Sequence, residues 1–306
     1  MSRIYDALQR ANIERKAAQG MDATGFPEPS PVTGAETLPS IKAEVNAENI
    51  TLYPWKPSMA YFPTLSNRGE SIEQFRGLRS QLYQLRDKAR LKTILVSSGA
   101  PAEGKTFVVA NLAISLTRNR NNKVLLIDGD LRRPSLHAVL GAPVIPGLAE
   151  YLAATAEPGD IMQRNQDPSL VEASGTRSIS NLTFIPAGAG GDNSSELVAN
   201  HRIEELITIL APHFDWILID SPPVLAFADA IDLARASDAV LLVARGATTP
   251  YDIAQRAQAS FSNSRILGFV LNAVKDVPPN SSYSYYYGRQ EDSRGLTGRR
   301  DKGQQG

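Results

Sequence analysis

The chain has 306 residues, 42% of them hydrophobic and 21% charged, which allows a sizeable buried core and excludes collagen, coiled coil and wholesale disorder. Thirty-two Lys and Arg balance thirty-two Asp and Glu, so no global basic field points to nucleic acid as a partner. Cysteine is absent and the three histidines (His137, His201, His213) lack metal-ligand spacing, which removes disulfide scaffolds, thiolate zinc sites and cysteine nucleophiles.

In chain order, Ile4, Ala7, Leu8 and Ala11 fall at helical spacing and predict an N-terminal amphipathic helix within residues 1–20. Such a helix either packs on its own domain or docks on a partner; its basic excess of two is too small for a membrane-surface reading. Residues 21–67 hold seven of the twenty prolines with Gly, Ser and Thr between them, and read as a linker. Asn67-Arg-Gly-Glu70 then resembles a capping box. Ile72, Phe75, Leu78, Leu82 and Leu85 follow at intervals of three and four, predicting a helix over 68–88.

Short apolar runs come next with helical stretches between them: Thr93–Ser97, Val124–Asp128, Trp216–Asp220, Ala239–Ala244 and Ile266–Leu271, with Leu182–Pro186 as a further strand candidate. Continuous apolar strands alternating with helices indicate a mostly parallel sheet covered on both faces, a doubly wound α/β fold. One domain is expected over 68–279. After Pro278-Pro279 the chain turns polar, so 280–306 reads as a disordered tail, except that Tyr283, Tyr285, Tyr286 and Tyr287 cluster there. No apolar run approaches the ~18 residues of a helical membrane span, and the N-terminus has no signal-peptide core, so a cytoplasmic location is expected.

Gly99-Ala100-Pro101-Ala102-Glu103-Gly104-Lys105-Thr106 matches G-x-x-x-x-G-K-[ST]. A buried strand leads in, and Phe107–Leu116 reads as a helix leading out. That geometry aims backbone N–H groups and a helix N-terminus at one spot, where phosphate charge is stabilised. Lys105 would reach the β- and γ-phosphates and the Thr106 hydroxyl would ligate Mg²⁺. Two further strand ends deliver carboxylates to the same edge: Asp128 and Asp130 in Leu-Leu-Ile-Asp128-Gly-Asp130-Leu-Arg132, and Asp220 in Ile-Leu-Ile-Asp220-Ser-Pro-Pro. Sites in open α/β sheets lie outside the carboxyl ends of the strands, so the three acids should converge on the loop as hard oxygen donors for a metal.

A P-loop, an apolar D-x-D-x-R strand and an apolar D-x-P-P strand, in this order, resemble the bacterial tyrosine kinases that regulate capsular and extracellular polysaccharide synthesis and export. Glu73-Gln-Phe-Arg76-Gly-Leu-Arg79 matches the family's E-x-x-R-x-x-R motif, Asn193-Ser-Ser-Glu-Leu197 a further family segment, and the four clustered tyrosines its C-terminal tyrosine cluster. The resemblance implies a P-loop NTPase fold of the MinD/ParA-like type and an autokinase using ATP and Mg²⁺. It implies that Lys105 stabilises the transferred phosphoryl group, Asp128 accepts the tyrosine proton, and Thr106, Asp130 and Asp220 hold Mg²⁺. Asn272 resembles an adenine-contacting asparagine, and Glu73, Arg76 and Arg79 would build a homo-oligomeric ring. An integral-membrane activator that recruits the chain to the inner face of the membrane is implied as well, together with a phosphotyrosine phosphatase; the chain looks like the stand-alone cytoplasmic form.

One departure stands out. The family loop commonly reads P-G-E-G-K, whereas Ala102 occupies the first glycine here; a Cβ on a residue with φ > 0 costs about 1 kcal/mol or more. A scaffold with weak turnover is therefore the alternative to a kinase. A MinD/ParA-like ATPase is the other, although Ala100 stands where such proteins carry a signature lysine.

Overall fold

The computed structural model describes residues 50–65, 69–166, 179, 181–191 and 193–274. Their centre is an eight-stranded sheet in the order β1-β4-β5-β3-β6-β2-β7-β8. The strands are β1 (Thr51–Tyr53), β2 (Thr93–Ser98), β3 (Val124–Asp128), β4 (Gln163–Asn165), β5 (Leu182–Ile185), β6 (Trp216–Asp220), β7 (Ala239–Arg245) and β8 (Ile266–Asn272). Strands β5-β3-β6-β2-β7-β8 run parallel; β4 pairs antiparallel with β5, and β1 pairs parallel with β4. All six predicted strands are present, and the two short ones at the β1 edge lacked a sequence signal.

The apolar runs are continuous because both faces of the inner strands are covered. Leu95, Leu125, Ile127, Ile217 and Ile219 enter one core, while Ile94, Val96, Val124, Leu126 and Leu218 enter the other, the period-two alternation of a strand. Helices α1 (Glu70–Lys88) and α2 (Lys105–Thr117) supply the second core. The first is closed in part by α4 (Leu148–Leu152), α5 (Ser194–Ala199), α6 (Arg202–Leu210), α7 (Asp229–Arg235) and α8 (Tyr251–Ser260). A short α3 (Leu136–Leu140) follows β3.

Two sequence expectations need correction. The linker expected over 21–67 does not extend through 50–65: Trp55 and Phe62 are completely buried and Leu65 nearly so, all within the core beneath α1 and α2. The prolines at 54, 57 and 63 concealed this, although each sits where no ladder hydrogen bond is needed. The segment is fastened by polar contacts too. Trp55 donates its indole N–H to Gln163 Oε1 at 3.1 Å. Asn111, buried in the middle of α2, accepts the Thr64 hydroxyl at 2.7 Å and donates to the Tyr61 carbonyl at 3.0 Å. Second, α1 begins at Glu70 with Gly69 as its N-cap and no side-chain cap; Asn67 lies outside the described residues, as do residues 1–20 and the tyrosine tail 280–306.

Candidate functional site

Strand β2 ends at Ser98 and α2 begins at Lys105, so Gly99–Gly104 form the turn between a buried strand and a helix N-terminus. Gly99 is required by close packing, since a Cβ there would come within 2.9 Å of Ile253 in α8. Gly104 adopts φ 91° and a Cβ on it would fall 1.9 Å from the Asn272 amide nitrogen. Ala102 takes φ 62°, the left-handed conformation in which its Cβ is strained.

The loop is braced from the β7–β8 side. Glu103 is almost fully buried; one carboxylate oxygen accepts the Ala100 N–H at 2.8 Å and the other the Thr249 hydroxyl. Asn272 donates to the Glu103 carbonyl at 3.0 Å, so the side chain expected beside a nucleobase stands against the loop and braces it. Arg245 reaches the Ala102 carbonyl at 3.4 Å. Thr249 and Arg245 carried no motif and were missed by sequence reasoning.

Strand register brings the acids together. Asp128 and Asp220 are direct partners on β3 and β6, and Val96 of β2 pairs with Asp220. Gly129 permits the close approach: its N–H donates to the Asp220 carbonyl at 2.9 Å, where a Cβ would lie 2.6 Å from the same oxygen. Thr106 donates its hydroxyl to Asp220 Oδ2 at 2.6 Å, and Lys105 Nζ stands 3.4 Å from Asp130 Oδ2. All five side chains named for phosphoryl and metal chemistry thus meet at one sheet edge.

Their environments differ. Asp128 is completely buried; Oδ1 accepts the Asp130 N–H, and Oδ2 accepts those of Ser135 and Leu136 at 3.2 and 3.1 Å. Burial, then the Asp220 charge, pushes its carboxyl well above the usual range. Burial likewise pushes Asp220 up to about 6, with Lys105 and the Thr106 hydrogen bond opposing the rise. Asp220 Oδ1 is buried without a hydrogen-bond partner, a costly arrangement for a charged oxygen. Among the described residues no three His, Cys, Asp or Glu side chains could hold a metal by themselves. Mg²⁺ in nucleotide sites needs only one or two protein oxygens, with phosphate and water supplying the rest. The orphaned Asp220 Oδ1, the Thr106 hydroxyl and Asp130 fit that demand.

Arg132, the last residue of the D-x-D-x-R run, points away from the loop. It pairs with Asp229 at 2.8 Å and donates to the Ser195 hydroxyl, and Ser195 donates to Asp229 at 2.7 Å. This network ties the turn after β3 to α5 and α7, and it gives the Asn193–Leu197 segment a positioning role. On α1, Glu73 and Arg76 form an exposed ion pair at 2.6 Å, while Arg79 donates to the Ser115 carbonyl of α2 at 2.6 Å.

A parallel sheet whose carboxyl edge joins a G-x-x-x-x-G-K-T loop to paired strand-end aspartates defines a P-loop nucleotide-binding protein. No family model matches the chain. It is 30% identical to the tyrosine-protein kinase YwqD of Bacillus subtilis over 216 residues, covering 70% of this chain and 85% of that one. It is 32% identical to the tyrosine-protein kinase wzc of Salmonella typhimurium over 228 residues, 73% of this chain but only 30% of the relative. The BceF tyrosine kinase domain superposes with a TM-score of 0.57 at 27% identity, covering 73% of this chain and 93% of that domain. The chain belongs to the bacterial tyrosine kinase family. The septum site-determining protein MinD of Pyrococcus horikoshii, solved with Mg-ADP, shares the fold at a TM-score of 0.50 and 27% identity, covering 62% of this chain and 74% of that one.

Proposed function

We propose that this chain is an ATP- and Mg²⁺-dependent tyrosine autokinase that regulates the synthesis or export of a capsular or extracellular polysaccharide. One observation carries the reading: the unpartnered Asp220 oxygen lies beside Thr106, Lys105 and Asp130 at the mouth of a P-loop. Mg²⁺ held by Thr106, Asp220 and Asp130 would supply charge neutralisation on the phosphates. Lys105, restrained by Asp130, is placed to turn toward the transferred phosphoryl group. Asp128 would accept the phenolic proton, and its raised affinity for a proton suits that role. Because Asp128 is enclosed by the N–H groups of Asp130, Ser135 and Leu136, the turn between β3 and α3 has to shift before a phenol reaches it.

The acceptors in this reading are Tyr283, Tyr285, Tyr286 and Tyr287. A homo-oligomeric ring joined through Glu73, Arg76 and Arg79, an integral-membrane activator that recruits the chain to the inner face of the membrane, and a phosphotyrosine phosphatase complete it. No helix among the described residues is long and apolar enough to cross a membrane, so recruitment by a membrane partner is the consistent route. Intact-mass measurement after incubation with Mg-ATP tests the activity: successive additions of one phosphate are expected, and their absence in the parent protein refutes it. The strained Ala102 favours one second reading, a nucleotide-dependent scaffold with little turnover. That reading predicts ATP binding with no phosphotyrosine. A MinD/ParA-like ATPase fits less well, because Ala100 replaces the signature lysine.

A further inference from the structure

Strained alanines gather at one corner of the nucleotide edge. Among the described residues five non-glycine positions have positive φ, and three of them lie here: Ala102 at 62° in the loop, Ala247 at 53° in the turn after β7, and Ala273 at 53° just past β8. Each is a left-handed conformation that alanine leaves unless its surroundings over-determine it.

The hydrogen bonds at this corner form one connected chain. Thr249 closes the turn after β7 twice: its N–H donates to the Arg245 carbonyl at 2.9 Å, and its hydroxyl oxygen accepts the Arg245 N–H at 2.8 Å. The hydroxyl proton is left to cross to the P-loop, where a Glu103 carboxylate oxygen accepts it. The other Glu103 oxygen accepts the Ala100 N–H at 2.8 Å. Glu103 is only 4% exposed, so little water reaches it to replace a lost partner. From the β8 side, Asn272 donates to the Glu103 carbonyl at 3.0 Å while its Oδ1 accepts the Ala273 N–H at 2.9 Å. The Asn272 carbonyl accepts the Gly246 N–H at 2.7 Å. Turn closure explains the two bonds between Thr249 and Arg245. It does not explain a hydroxyl aimed at a buried carboxylate of another element, 146 positions away in the chain.

We infer that Thr249 is a positioning residue for nucleotide binding: its hydroxyl latches Glu103 and so keeps Ala102 in the left-handed conformation that shapes the P-loop. This role rests on the reading of Gly99–Thr106 as a nucleotide loop and not on the kinase chemistry. Without the latch, one Glu103 oxygen loses its donor, the carboxylate turns toward water, and Ala100 loses its acceptor. The loop then relaxes at Ala102, only a fraction of the chains keeps the binding-competent form, and apparent affinity falls by that fraction. Ala102→Gly removes the strain that the latch opposes, so positions 102 and 249 are coupled.

Titration calorimetry of the full chain with Mg-ADP, at a temperature where circular dichroism shows every variant folded, tests this. Thr249→Val keeps the shape and removes the hydroxyl; it should weaken Mg-ADP about tenfold, the loss expected when a buried charged acceptor loses its donor. Thr249→Ser should bind within about twofold of the parent, as should Thr248→Val at the exposed neighbouring position. In an Ala102→Gly background, Thr249→Val should cost only about threefold or less, whereas a residue that merely stabilises its own turn costs the same in both backgrounds. Glu103→Ala removes the latch from the loop side without leaving a buried carboxylate. It should weaken Mg-ADP at least as much as Thr249→Val, and it decides the matter if Thr249→Val misfolds. Unchanged affinity in the deciding variant, an equal loss in Thr249→Ser or Thr248→Val, or the same loss in the Ala102→Gly background overturns the latch while leaving the nucleotide reading intact. A parent chain that does not bind Mg-ADP refutes the nucleotide reading itself, and the latch with it.

Discussion

At the scale of single residues, Ala102 in the P-loop and His137 on α3 are groups whose conformation or protonation opposes stability. Ala102 at φ 62° carries a Cβ where glycine has none, so Ala102→Gly should raise stability by up to about 1 kcal/mol, the left-handed strain exceeding the added chain entropy. Thermal denaturation reads the stability, and a nucleotide titration should show tighter binding as the loop relaxes; a loss of both would mean that the loop is not strained at this position. His137 on α3 has its Nδ1 buried without a partner, and burial lowers its pKa from 6.5. Between the folded value and 6.5 the unfolded chain binds more protons, so stability rises with pH across that window. This contribution is complete above pH 6.5 and is lost as pH falls through the folded value. An NMR titration should place His137 below 6.5, and His137→Gln should remove that part of the pH dependence. The sequence marked the position only as a lone histidine without metal spacing, because desolvation is a property of the packed fold.

At the scale of elements, legibility followed the strength of the local pattern. Strands β2, β3, β6 and β7 were readable because double-sided burial makes their apolar runs continuous, and the P-loop because its glycines meet steric demands within six residues. β1 and β4 were not readable. Each has three residues, and both are held by contacts more than a hundred residues apart, such as Trp55 with Gln163. No window of sequence displays a pairing of that range. Proline density then argued for a linker where Trp55 and Phe62 are buried. Trp55→Ala should cost about 3–5 kcal/mol, as expected for an aromatic side chain removed from a core, and should raise hydrogen exchange across β1 and β4 before the inner strands. A chain begun at Gly69 should be far less stable than one begun at Ile50, because Asn111 would lose the Thr64 and Tyr61 partners inside the core. Equal melting of the two chains would return 50–65 to the status of a linker.

At the scale of the molecule, the question is how the tyrosine cluster reaches an active site. Strand β8 runs parallel to β7 and β2 and ends at Asn272, which touches the P-loop through the Glu103 carbonyl. The chain therefore departs beside its own nucleotide loop, and Tyr283 follows Leu271 by twelve positions, a reach of about 20 Å for a chain of random-coil dimensions. Length alone permits transfer within one chain. Geometry disfavours it, since in-line attack needs the phenolic oxygen aligned with the γ-phosphate and the tail would have to reverse direction within those dozen residues. A second copy held through Glu73 and Arg76 could present its tail already extended. Transfer is thus expected between subunits, with an initial rate per molecule that rises with protein concentration. Arg76→Ala should lower assembly and rate together while leaving ATP affinity nearly unchanged; Arg79 is less suitable for this test because it also anchors α1 on Ser115. The sharpest measurement mixes a Lys105→Met chain with an active partner whose four tail tyrosines are phenylalanine. Phosphotyrosine on the Lys105→Met tail can arise only by transfer from the partner's site. Its absence, with a concentration-independent rate in the parent protein, would leave transfer within one chain and require the residues after β8 to fold back sharply onto the P-loop beside Asn272.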